Sequence, residues 1–132
     1  MVLVQEPCDK QTIASGNVYL APANYHMLLD GGGSIALSVD DKVNWSRPSI
    51  DVLFESAANA FGSSVIGILL SGANADGAEG LRAIHAAGGT TLAQDPREAQ
   101  FGRMPQAAID TGCVGRILTQ TEIVQFLIGT AG

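Results

Sequence analysis

Basic residues are scarce in this chain. Seven Lys and Arg stand against thirteen Asp and Glu, for a formal net charge of −6. The seven never cluster, so the sequence offers no basic face of the kind a nucleic-acid backbone requires, and no nucleic-acid partner is expected. Long apolar runs are also missing. None approaches the ~20 residues that span a bilayer, so no membrane insertion is expected. Cysteine is limited to Cys8 and Cys113. They form no C-x-x-C pair, and neither has a His or Cys nearby at metal-ligand spacing. That excludes a zinc site and a disulfide framework, and fits two free thiols in a reducing compartment. The N-terminus, "MVLVQEPCDK", has no basic n-region and carries a charge by position six. A signal peptide is therefore not expected, and the location is read as cytoplasmic.

What is present suits one domain over residues 1–132, with 46% apolar and 15% charged residues. Up to about residue 47 the chain reads as strands and turns. "VLVQE" and "NVYLA" are short strand candidates, and "HMLLD" and "SIALSV" flank "GGG" as a β-hairpin would. From Pro48 the period changes. Ile50, Leu53, Phe54, Ala57 and Phe61 form one helical stripe, started at Pro48 or Ser49 and ended at Gly62. "VIGILL" reads as a strand buried on both faces, because it is continuously apolar. A helix over 78–87 follows, stopped by the glycines at 88–89. Then come strand "TTLAQ", short helix "MPQAAID", strand "CVGRIL" and a closing helix, "TEIVQFLI", capped by Thr119 or Thr121. Strands alternating with helices imply βαβ units. The fold class is α/β: doubly wound, mainly parallel, with helices on both faces and an antiparallel β-hairpin near the N-terminus.

In such sheets ligands gather outside the carboxyl ends of the strands. "SGANADG" lies there and carries one acid, Asp76. Asp76 is a site residue by position, or a cap for the helix that follows it. A second loop, "AQDPREAQFGRMP", opens on the same edge and is either the other wall of a cleft or a surface loop anchored by Pro96 and Pro105 with Asp95 solvated. Ser34 follows two glycines but sits between strand-like segments, so it is no nucleophile elbow. His85 lies mid-helix, near the surface. His26 opens a strand and either reaches a cleft or is a hydrogen-bonded structural histidine. "NWSRPSIDVLFES" carries Trp45, Arg47, Ser49, Asp51 and Glu55: either Trp45 packs under the helix start and Arg47 pairs with an acid, which is the expectation, or the stretch forms a partner-binding surface.

Four blocks carry a resemblance: "GNVYLAPANYHMLL", "RPSIDVLFESAA", "ILLSGANADGAEGLRAIHAAGGTTLAQDP" and "MPQAAIDTG". Together, from about Gly16 to Ile128, they resemble the chemotaxis protein-glutamate methylesterase family. The resemblance implies hydrolysis of glutamyl methyl esters on the cytoplasmic region of methylated chemoreceptors, with glutamine deamidation in some members. It implies a Ser-His-Asp triad that needs no metal or cofactor, with Asp76 matching its acid. Gly72, Ala73, Asn74 and Met104 fall at its cleft or oxyanion loop, with Ala73 standing where the family often has Met. His26 matches a secondary histidine of the family, not that of the triad.

The Gly-x-Ser-x-Gly-Gly stretch that bears the family's nucleophile, and its triad histidine, do not occur in these residues. The chain is therefore expected to be the C-terminal part of the catalytic domain, incomplete at its N-terminal side and without a receiver domain. By itself it is expected to lack the acyl-enzyme chemistry. An uncovered sheet edge would favour self-association. The alternative is a non-catalytic receptor-binding or dimerising remnant.

Overall fold

The chain was described from a computed structural model, which covers residues 3–131. Its first elements are short. Strand β1 (Leu3–Gln5) runs parallel to β2 (Asn17–Tyr19), in register Leu3 with Asn17. Strands β3 (His26–Leu29) and β4 (Ile35–Ser38) form the expected antiparallel hairpin, with Leu29 opposite Ile35. The connecting glycines supply the positive φ that the reversal needs, at Gly33 (φ 86°).

Helix α1 (Ile50–Phe61) begins at Ser49, whose extended backbone and side-chain oxygen make it the N-cap. Its apolar stripe packs against β3 and against helix α2 (Ala78–Ala86). Strands β5 (Ile66–Leu69), β6 (Thr90–Gln94) and β7 (Arg116–Leu118) form a parallel sheet in the order β5-β6-β7. Alternation along these strands decides which helix covers which face. Leu69 faces α2 and α3 (Arg103–Asp110), in a core with Leu81, Ile84 and Ala108. Leu92 and Leu118 face the other way, onto Ile123 of α4 (Gln120–Ala131). Helices thus cover both faces. Gly67 is the contact point for α2: a Cβ there would lie 2.6 Å from Ile84 Cδ1. Thr119 caps α4 through a reciprocal pair, Glu122 N to Thr119 Oγ1 at 3.2 Å and Thr119 N to Glu122 Oε1 at 2.9 Å.

Three expectations need correction. The strand in "VIGILL" is not buried on both faces, since Ile66 is 37% and Leu70 49% exposed. The physical reason is position: β5 ends the sheet, and among the described residues no strand pairs with its outer edge. Trp45 does not pack under α1; it is 93% exposed. Arg47 bonds no acid among the described residues. Its Nη1 donates to the carbonyls of Val39 and Asp40, at 3.1 and 3.2 Å. Among the described residues no helix is long and apolar enough to cross a membrane.

Candidate functional site

Asp76 follows β5 at its carboxyl end and is 2% exposed. It does not cap the helix that follows it. Its Oδ2 accepts the Ile50 N–H at 2.6 Å, and its Oδ1 accepts the Ser49 hydroxyl at 2.9 Å and the Asp51 N–H at 3.4 Å. These donors are the free N-terminus of α1, which favours a carboxylate by charge and by hydrogen bonding. The helix after Asp76 is capped from the other side. Asp51 Oδ1 accepts the N–H of Gly77 at 2.9 Å and of Gly80 at 2.7 Å. Asn44 joins the two acids: its Nδ2 donates to Asp51 Oδ2 at 2.8 Å and to Asp76 Oδ1 at 3.1 Å.

Local backbone makes this crossing feasible. Gly77 has φ 104°, and a Cβ there would lie 2.5 Å from Leu69 Cδ1, so only glycine turns the chain into α2 here. Asn74 closes the turn by accepting the Asp76 N–H on its side chain at 2.9 Å. Burial pushes the Asp51 carboxyl above the usual aspartate value; Gly80 and other donors hold it down, while the Asp76 charge beside it adds to the rise.

The two loops expected to face each other across a cleft are joined instead. Gly72 N donates to Phe101 O at 2.9 Å, Met104 N to Gly72 O at 3.1 Å and Phe101 N to Ser71 Oγ at 2.9 Å. A Cβ on Gly72 would meet Met104 Cε at 2.5 Å. The role of Gly72 is close approach, since its N–H is already engaged. Ala73 and Asn74 are exposed beyond it, and their N–H groups carry no hydrogen bond among the described residues. An apolar groove of about 240 Å³ runs beside this wall, lined by Ile50, Leu53, Phe54, Ile68, Leu70 and Met104.

His26 is 1% exposed, and both its ring nitrogens are occupied. Nδ1 accepts the Ser49 N–H at 3.2 Å and Nε2 lies 2.9 Å from the Asp41 carbonyl. This is the structural alternative: the ring holds the start of α1. Ser49, His26 and Asp76 therefore come close without forming a triad. The imidazole meets the backbone of Ser49, whose hydroxyl is 2.9 Å from Asp76 in a residue only 2% exposed. His85 is exposed on α2, and Ser34 lies just before β4, in an isolated bridge with Thr12. Among the described residues no three His, Cys, Asp or Glu side chains gather as a metal site would require.

A buried carboxylate at a strand end, oriented by donors on several sides and flanked by an exposed loop whose Ala73 and Asn74 N–H groups are unpaired among the described residues, is a fixed hydrogen-bond acceptor near an apolar groove. A family model described as CheB methylesterase matches residues 1–127. The chain belongs to the CheB methylesterase family. A Leptospira interrogans protein bearing the name protein-glutamate methylesterase/protein-glutamine glutaminase is 42% identical over 127 residues, covering 96% of this chain and 66% of that relative. The Bordetella parapertussis protein-glutamate methylesterase/protein-glutamine glutaminase is 39% identical, covering 99% of this chain and 39% of the relative. The crystal structure of the Thermotoga maritima CheB methylesterase catalytic domain superposes with a TM-score of 0.89 at 30% identity. It covers 95% of this chain and 68% of that one. This methylesterase-family chain thus spans just under two-thirds of one relative and two-fifths of another.

Asn44 was not singled out from the sequence, and Asp51 was named only within the stretch 44–56, with no link to Asp76 or to α2. Asp51 carries a weak signal, as an acid in the first turn of a helix, but its partner helix lies elsewhere in the chain.

Proposed function

We propose that this chain supplies the acid and part of the substrate wall of a protein-glutamate methylesterase. The observation that carries the reading is the Asp76 carboxylate, buried at the end of β5 with its orientation fixed from α1. Oδ2 accepts one bond among the described residues, and a carboxylate oxygen has two lone pairs. The remaining position suits an imidazole N–H. Asp76 then holds that imidazole in the tautomer that takes a proton from a serine hydroxyl. The serine attacks the γ-carbonyl of an esterified glutamate, and the imidazolium returns the proton to the leaving methoxide as methanol departs. Water then hydrolyses the acyl-enzyme. The exposed N–H groups of Ala73 and Asn74 suit the oxyanion, for which a backbone donor tolerates Ala as well as Met. Serine and imidazole come from another stretch of polypeptide, packed along the open edge of β5. The substrate is the cytoplasmic region of a methylated chemoreceptor, with glutamine side chains as second substrates. No metal or cofactor takes part in these steps.

The test is methanol release from methylated receptor by the protein isolated from its own cells, together with its intact mass. Hydrolysis by a species heavier than 13.6 kDa supports the reading. Absence of hydrolysis overturns it. The second reading, a receptor-binding or dimerising remnant, draws on the open edge of β5 and its exposed Ile66 and Leu70. It is favoured if the native protein has the mass of this chain, associates with itself or with receptor, and hydrolyses nothing.

A further inference from the structure

Trp45 is unexplained by the fold. Val43 and Ser46 exchange both backbone hydrogen bonds, at 3.0 and 2.9 Å, and so close a two-residue turn. Its central residues, Asn44 and Trp45, have φ 52° and 61°. Positive φ at both is the pattern of a type I′ turn, for which Asn-Gly is the favoured pair. Asn44 fits. Trp45 does not: a bulky side chain is strained where glycine is at ease. Burial by the described residues does not compensate, since the residue is 93% exposed among them. Neither the backbone nor the core therefore selects tryptophan here.

The turn is, however, anchored to the site. Asn44 points inward, with its amide on both Asp51 and Asp76. Trp45 is the next residue and points into solvent at the rim of the same constellation. A rigidly presented tryptophan with few rotamers is the side chain most often found at the centre of recognition surfaces.

We infer that Trp45 is a docking and specificity residue for the polypeptide that carries the esterified glutamate. The inference rests on the methylesterase reading of the site. Its chemistry follows from the two ends of the reaction. Esterification makes the glutamate side chain neutral and gives it a methyl group, whereas hydrolysis restores a carboxylate. The face of an indole ring is electron-rich, so it accepts a methyl ester and aliphatic surface and disfavours an anion. Trp45 thus retains substrate and releases product.

Trp45 is the only tryptophan of these 132 residues, so in the 132-residue chain emission fluorescence reports on it alone. The protein is titrated with a synthetic helical peptide bearing one glutamyl γ-methyl ester, and with the same peptide bearing glutamate. A saturable blue shift is expected with the ester peptide, and roughly tenfold weaker binding of the carboxylate peptide. Trp45→Gly should weaken binding of the ester peptide by about tenfold or more, measured by calorimetry. The same variant should raise the melting temperature, because glycine suits the left-handed position. A structural role would lower both. Unchanged affinity in Trp45→Gly, no spectral shift at saturation, or no binding of the ester peptide overturns the inference. Methanol release is scored separately. It is read on the protein isolated from its own cells: hydrolysis there with an indifferent Trp45 overturns only this docking role, and no hydrolysis there overturns the esterase reading and this inference with it.

Discussion

Asp51 and Asp76 cap each other's helices. Asp51, in the first turn of α1, accepts the N–H groups of Gly77 and Gly80 at the start of α2, while Asp76, just before α2, accepts the Ile50 N–H at the start of α1. Asn44 donates to both carboxylates. The acid of the candidate site is therefore part of the frame that sets two helices against each other. Its orientation is inherited from the fold, with little left to side-chain freedom.

Removing one half of this exchange should be costly. Asp51→Ala leaves two buried N–H groups without partners and strips the cap from α2. The expected loss is roughly 2–4 kcal/mol, read from the urea midpoint at unchanged slope. A loss below about 0.5 kcal/mol would mean that water or another side chain takes over the cap.

The pair should also show in titration. Burial raises the Asp51 carboxyl above its ordinary 3.8, and the neighbouring Asp76 charge adds to the rise against the hydrogen bonds of Gly80, Asn44 and Gly77. Glu55 lies nearby and is itself raised, by burial and then by the charges of Asp51 and Glu79. Because the folded protein binds this proton more tightly, the Asp51 contribution is full below pH 3.8 and is lost as pH rises through the raised value. Asp95 behaves oppositely: the Arg97 side chain holds it at about 2, so its contribution is present above 3.8 and fades as pH falls through about 2. Carboxyl carbon NMR should give Asp51 a midpoint above 3.8, moving down in Asp76→Asn as the like charge is removed. An upward or absent movement would show that the two carboxylates do not sense each other.

The joined loops predict a coupled pair. Gly72→Ala drives a Cβ to within 2.5–3.0 Å of the Met104 side chain. Alone it should cost about 1–3 kcal/mol. In a Met104→Ala background most of that penalty should vanish, which a double-mutant cycle reads directly. Additive costs would mean that the loops part without resistance.

The open edge of β5 predicts association. Ile66 and Leu70 are 37% and 49% exposed beside an unpaired strand edge. This chain by itself should form dimers or larger species in sedimentation, dispersed by Leu70→Lys. A monomer at high concentration with cooperative unfolding would count against it.

Much of this was legible because it is local. The 3.6-residue stripe from Ile50 to Phe61 and the cap at Ser49 gave α1 to within a residue. The glycines at 88–89 marked the end of α2, and the glycine-linked hairpin was also found. Asp76 was placed at a strand end by the apolar run before it and the helical pattern after it. Its partner was not, because Ile50 lies 26 residues away and periodicity carries no record of such pairs. The same limit hid the bonds that Asp51 and Asn44 make. Trp45 was misread because an aromatic ordinarily promises burial, and Arg47 because carbonyls compete with carboxylates for a guanidinium. β5 misled for another reason: a continuous apolar run states what a strand tolerates on each face, and cannot say which of its faces is covered.

The most direct test of the role of Asp76 is turnover of Asp76→Asn on methylated receptor, at a temperature where both forms are fully folded. The substitution puts an amide NH₂ among the donors of α1, so a stability loss of about 1–3 kcal/mol is expected and must be checked first. If Asp76 orients the imidazole, kcat falls by several orders of magnitude, about 10⁴-fold, with little change in KM. A kcat within a few-fold of the unsubstituted protein would contradict the assignment and leave Asp76 as a helix cap alone.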